Sequence, residues 1–197
     1  MLHLFKIKQI YIMKKLLLVT ALAVFGFSNV KAQDIKFGVK GGLNFANLSG
    51  DNTSQLEPVT AFNFGIMSEI TITDKFSFQP ELMYSGQGFS FKNDENPVAL
   101  SYINLPLIGK YYVFNGLSLE AGPQIGYLIG ADYDGFDVKD NYKKLDFGAN
   151  VGLGYKLDNG LNFGVRYNLG LSNINGLRGQ SDKIKNNVLQ VSLGYFF

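Results

Sequence analysis

Nine charged residues fall on the polar side of segments that alternate between apolar and polar side chains: Lys36, Lys40, Glu69, Glu81, Lys110, Glu120, Asp146, Lys156 and Arg166. Brought together, they offer two kinds of chemistry. An open lining would attract and pass small ions. A closed interior would pair them into near-neutral salt bridges and hydrogen bonds. Glu69, Glu81 and Glu120 are also the residue type for paired acid–base work. Such work needs a cleft that admits substrate and surroundings that separate two carboxyl pKa values. Alternating segments supply neither, so no catalytic residue is expected.

Other site chemistries lack their residues. The chain has no Cys and no Trp, and its single His is His3. Disulfides, thiol nucleophiles and Cys/His zinc sites are therefore excluded. Hydrolases and acyltransferases that use His as general base lose it too. Asp132, Asp134, Asp137 and Asp140 crowd one polar stretch, but their spacing departs from the calcium-loop pattern, and no metal is expected there. Gly148, Gly152 and Gly154 echo a dinucleotide fingerprint, yet they sit inside a strand pattern with no helix after them, so no cofactor is expected. Tyr102, Tyr112 and Phe196 share the polar side and are read as interior packing rather than a stacking site.

The formal charge of +2 is carried by the first residues. Lys6, Lys8, Lys14, Lys15 and Lys31 precede Gln33 with no acid among them, and the rest of the chain has an acidic excess. A basic nucleic-acid footprint is absent. Met13-Lys14-Lys15, an apolar run from Leu16 to Phe27 and the small residues of Val30-Lys31-Ala32 form the layout of a secretory signal peptide. The run is too short for an ordinary membrane-spanning helix. Residues 1–32 are thus expected to be an address, with Met13 as the true start, and 34–197 to be one domain.

Eight segments of that domain repeat with period two, the strand period. In residues 62–72, Phe62, Phe64, Ile66, Ile70 and Ile72 face one way and Asn63, Gly65, Met67, Glu69 and Thr71 the other. In 145–157, Leu145, Phe147, Val151, Leu153 and Tyr155 oppose Asp146, Gly148, Asn150, Gly152 and Gly154. Segments 35–45, 76–87, 102–113, 117–129, 161–172 and 188–197 follow the same rule. The connections alternate as well. Thr73-Asp74-Lys75, Phe114-Asn115-Gly116 and Asp158-Asn159-Gly160 are tight turns, two of them with the Asn-Gly pair that favours hairpins. Longer polar loops are expected over 46–61, 88–101, 130–144 and 173–187.

Volume decides which face looks outward. The interior of an eight-stranded barrel is only just wide enough for side chains to fill it. Rows of Phe, Tyr, Leu and Ile would not fit, whereas the Gly, Ser, Asn and Gln face would. The apolar face then looks outward, which lipid tolerates and water does not. Strands of about 9–11 tilted residues cross a bilayer. Closure removes unpaired edges. Long loops at one end and short turns at the other are the asymmetry of outer-membrane barrels, and Tyr84, Tyr111, Tyr127, Tyr155, Tyr167 and Tyr195 suit an aromatic girdle. The expected fold class is all-β, an eight-stranded antiparallel up-and-down transmembrane β-barrel.

Several phrases carry a family likeness. Phe37-Gly38-Val39-Lys40-Gly41-Gly42-Leu43-Asn44, Phe78-Gln79-Pro80-Glu81-Leu82-Met83-Tyr84-Ser85, Asn104-Leu105-Pro106-Leu107, Gly122-Pro123-Gln124 and Arg166-Tyr167-Asn168-Leu169-Gly170-Leu171 resemble the porin-family, PorT-type outer-membrane β-barrel proteins, small barrels of the OmpA/OmpX kind. The resemblance implies the Gram-negative outer membrane, lipid as surroundings and insertion by the barrel-assembly machinery, whose signal the strand ending on Phe197 is similar to. It brings no catalytic residue. The expected function is structural or surface-interacting, through four long extracellular loops and non-enzymatic, with an extracellular or secretion-system protein as a partner of unnamed kind. The competing readings are a narrow passive pore for small solutes or ions, a PorT-like part in protein secretion, and a soluble periplasmic β-sandwich with the apolar face between two sheets.

Overall fold

Alternation of this strength leaves the backbone one regular option, the extended strand, and the chain takes it throughout. The computed structural model describes residues 35–92, 96–177 and 182–197. The signal-peptide expectation for 1–32 lies outside the described residues. The chain divides into two units, Met1–Asp34 and Ile35–Phe197, and the second contains the whole described fold.

Eight long strands form the wall: β1 (Ile35–Gly50), β2 (Leu56–Thr73), β3 (Phe76–Phe91), β4 (Val98–Tyr112), β5 (Leu117–Tyr133), β7 (Leu145–Lys156), β8 (Leu161–Gly170) and β9 (Ile184–Phe196). A two-residue strand, β6 (Phe136–Asp137), folds back on the end of β5, and a single 3-10 turn follows at Lys139–Asn141. Each wall strand pairs antiparallel with its neighbours in chain order, and β1 pairs with β9, so the ring closes. A two-layer sandwich is thereby ruled out. Its sheets would need open edges, and here Gly38 to Gly50 is laddered to Phe196 through Ile184.

Side-chain direction follows the alternation around the whole ring. Phe37, Phe62, Phe64, Ile66, Leu105, Val151 and Leu193 are exposed on the outside, while Lys40, Asn63, Glu69, Glu81, Asn104, Glu120 and Arg166 are buried within. Ile70 has outward parity but is buried; its ladder partners Ile35 and Phe78 flank it.

The short turns fall where expected. Thr73 accepts the Phe76 amide on its hydroxyl at 3.1 Å, and Asn159 accepts the Leu161 amide at 3.1 Å. Gly116 and Gly160 take φ of +79° and +93°, the left-handed region open to glycine at little cost.

The opposite end departs from expectation. Many of the residues expected in long loops continue the ladders: Ala46 to Gly50 pair with Val188 to Ile184, and Val98 to Ser101 pair with Tyr133 to Gly130. The physical reason is an inversion of polarity. Here the inward residues Leu48, Val98, Leu100 and Ala131 are apolar and buried, whereas Asn47 and Asp132 on the outside are exposed. A rule that seeks apolar residues outside stops at the point where the wall passes from lipid to water. A β-bulge between Ser101 and Tyr102, opposite Gly130 and Leu128, accommodates one extra residue at that height.

Two expected outcomes follow. Leu105→Arg and Val151→Arg lie near mid-strand on the outer face, and each should cost about 2–4 kcal/mol in refolding into lipid if that face meets the bilayer centre. Denaturant titration in vesicles reads this directly. Gly152→Phe should impair folding by another route. An added Cβ would lie 2.5 Å from the Val165 carbonyl oxygen and 3.0 Å from the Arg166 Cα, so overpacking inside the wall is expected.

Candidate functional site

The interior is layered. At the short-turn half, Glu81 on β3 receives both guanidinium arms of Arg166 on β8, at 3.0 and 2.9 Å. The same Arg166 reaches Glu120 on β5 at 2.7 Å. Lys40 on β1 lies 3.2 Å from Glu81. Lys110 on β4 lies 3.7 Å from Glu69 and 3.5 Å from Glu120, and it donates to the Gln79 amide oxygen at 3.1 Å. Lys156 on β7 closes on Glu69 at 2.7 Å, and the Tyr112 hydroxyl donates to Glu69 at 2.6 Å. Two-armed Arg–carboxylate pairs of this kind add geometric specificity as well as energy.

Seven of the nine charged residues expected in the lumen thus meet in one network. Lys36 and Asp146 stand apart. Lys36 is exposed at the short-turn mouth. Asp146 starts β7 at the other end, where it accepts the Ser172 hydroxyl at 2.6 Å. Alternation specifies the face a side chain takes, not its depth along a tilted strand.

Lumen-facing glycines make the room. A Cβ on Gly154 would strike the Glu120 carboxylate, and one on Gly148 would lie 2.7 Å from the Asn168 amide nitrogen. The apparent fingerprint glycines therefore serve as space for long side chains from neighbouring strands.

Above the charges lies a layer of amides. Asn44 donates to the Ser85 hydroxyl at 2.8 Å and receives the Asn63 amide at 2.8 Å. Asn168 donates to Asn150 at 3.2 Å, and Asn186 donates to Gln87. The free space between Asn104, Gln124, Asn150, Arg166 and Gln190 is about 10 Å³, roughly the room of one water molecule.

The third layer is an apolar cap: Leu48, Phe89, Val98, Leu100, Tyr102, Leu128, Ala131 and Ile174. Ile174 comes from the segment after β8. That segment is held by the Ile174 amide on the Ile184 carbonyl at 2.8 Å and by a bridge between Asn175 and Tyr142. Burial pushes the Tyr142 hydroxyl pKa above its ordinary value. This cap was not read from the sequence. Its signal was the run of apolar residues at every second position within the supposed loops.

A cavity of about 550 Å³ opens at the short-turn mouth, lined by Lys36, Asp74, Tyr112, Lys156, Asp158 and Phe196. The Lys156 ammonium lies over the Tyr112 and Phe196 rings, 5.1 and 5.5 Å from their centroids, a cation–π arrangement. Tyr102, Tyr112 and Phe196 all point inward, as expected. Two of the loop aspartates hold turns: Asp132 accepts the Gly135 amide at 3.1 Å and Asp137 the Lys139 amide at 2.9 Å. Among the described residues, no cluster of three or more His, Cys, Asp or Glu is arranged to hold a metal ion.

Comparison with solved structures places this architecture among small outer-membrane barrels. Neisserial surface protein A is 16% identical with a TM-score of 0.54, covering 82% of this chain and 97% of that one. Ail, the attachment invasion locus protein of Yersinia pestis, solved with the heparin analogue sucrose octasulfate, is 13% identical with a TM-score of 0.51, covering 83% and 99%. No curated protein sequence matches the chain. The family model described as outer membrane protein beta-barrel domain matches residues 28–176, well over half the chain, and on this ring of antiparallel strands the chain belongs to that family and is an outer-membrane β-barrel protein.

Proposed function

We propose that this barrel is a sealed, non-enzymatic membrane anchor whose working surface is the set of connections at its long-loop end. The observation that carries the reading is the filled lumen. A salt-bridge network, an amide layer with about 10 Å³ of space and an apolar cap lie in series along the axis. A passive pore needs a continuous wet path, and each layer interrupts one by a different means. The charged residues Lys40, Glu69, Glu81, Lys110, Glu120, Lys156 and Arg166 act in this reading as structural cross-links. Lys36 lies at the short-turn mouth, and Asp146, held by Ser172, lies beside the amide layer.

With the interior occupied, contact with other molecules falls to the parts outside the bilayer: the 51–55 turn, the β5–β6 hairpin with its following turn, and residues 171–177 after β8. The solved complex of Ail with a sulfated ligand gives a precedent for a barrel of this size presenting a binding surface. The partner of this chain is an extracellular molecule of chemistry not yet assigned. The barrel-assembly machinery is its partner during insertion, a role supported by membership of the outer-membrane barrel family.

Two measurements test the reading. In planar lipid bilayers at high protein occupancy, the current trace should stay flat; stepwise conductance would assign the protein to transport instead. N-terminal sequencing of protein extracted from outer membranes should begin at Gln33, which checks that 1–32 is the removed address.

A further inference from the structure

Four prolines sit within the wall strands: Pro58 near the start of β2, and three nearer mid-strand, Pro80 on β3, Pro106 on β4 and Pro123 on β5. A proline has no backbone N–H to give to a ladder. The three seams around Pro80, Pro106 and Pro123 are interrupted beside these residues, and the β2–β3 seam also shifts register between Pro58 and Asn63. Between β2 and β3, Met67 pairs with Glu81 and Ile70 with Phe78, but the steps between, where Ser68 faces Pro80, are not paired. Between β3 and β4, pairing skips from Pro80–Leu107 to Met83–Asn104, over Pro106. Between β4 and β5, it skips from Pro106–Gln124 to Gly109–Ala121, over Pro123. The gaps follow one another across the wall, since Pro80 pairs with the neighbour of Pro106, and Pro106 with the neighbour of Pro123. The other five seams run without a break.

The lumen side of the same sector holds the charge network. Gln79 and Glu81 flank Pro80 in sequence. Lys110 on β4 reaches Gln79 on β3, Glu69 on β2 and Glu120 on β5. Arg166 reaches across from β8 to Glu81 on β3 and Glu120 on β5. Every interrupted seam is therefore bridged by a buried side-chain contact to Lys110 or Arg166. Unpaired backbone groups are costly at membrane depth, and a wall missing them along one diagonal is weakest there.

We propose that the lumen network is a latch on a deformable half-wall: β2 to β5, whose ladders break beside the prolines, is held shut there by side-chain bracing, and it is the sector that opens when the bracing is released. The opposite half, β7 to β9 with β1, is the rigid frame. The inference stands apart from the surface-interaction reading, because a latch can exist whatever the loops bind.

The test is peptide-resolved hydrogen–deuterium exchange on the full mature barrel in phosphatidylcholine nanodiscs. Four proteins are compared: the native chain, Lys110→Met, the triple variant Pro80→Ala/Pro106→Ala/Pro123→Ala, and the combination. Lys110→Met should speed exchange of β3 and β4 peptides about ten-fold while β8 and β9 change less than about two-fold. The triple alanine variant, with its ladder donors restored, should slow β3 and β4 exchange. In the combination, the effect of Lys110→Met should shrink to about two-fold or less. Equal acceleration around the ring, or an undiminished effect in the alanine background, overturns the proposal. Should Lys110→Met fail to insert, the triple variant decides alone: unchanged β3 and β4 exchange refutes the latch.

Discussion

Hydrocarbon offers a backbone no hydrogen-bond partner, so every amide and carbonyl at membrane depth must be satisfied within the wall. Much else here follows from that one requirement. It forces the sheet to close, which β1 and β9 do over thirteen registered pairs. Closure at eight strands forces a narrow interior. A narrow interior in turn rejects the large apolar side chains and keeps glycine, amides and a few charges whose partners lie across the bore. Charged groups shut away from water must be paired and hydrogen-bonded, and Glu81, Arg166, Glu120 and Lys110 are each ion-paired across the bore.

The layering of the lumen follows the surroundings outside it. Where the wall meets lipid, polar residues turn inward and build the charge and amide layers. Where the wall rises into water, the preference reverses: Asn47 and Asp132 face out, and Leu48, Leu100 and Leu128 pack on Ile174 inside. The barrel thus has a small conventional hydrophobic core of its own above the membrane. It supports the upper ladders where the lipid can no longer favour apolar residues outside.

The membrane-crossing part was legible because period two with one face apolar has few other meanings. Phe62 to Ile72 and Leu145 to Tyr155 needed only their own residues to be placed. The reach of the strands was not legible, because the rule for which face is apolar changes partway along β1, β4 and β5. The β5–β6 hairpin carried a plain signal, Asp134-Gly135, a dipeptide that favours two-residue turns, inside a stretch otherwise expected to be a polar loop. Which of the nine lumen charges would pair with which could not be read. Arg166 and Glu81 lie 85 residues apart, and strand tilt and stagger decide which depth each reaches. Lys36 and Asp146 have the right face and the wrong height.

The β5–β6 hairpin has a practical consequence. Asp134 and Gly135 both take left-handed backbone angles, φ of 52° and 80°, and both are exposed at the tip. Their flanks, Tyr133 and Phe136, are registered partners directly below. A foreign peptide spliced between Asp134 and Gly135 would ride on a two-ply stalk whose base is already welded to β4, leaving the lumen untouched. The hairpin tip is therefore the place where the fold can take added chain without disturbing the wall.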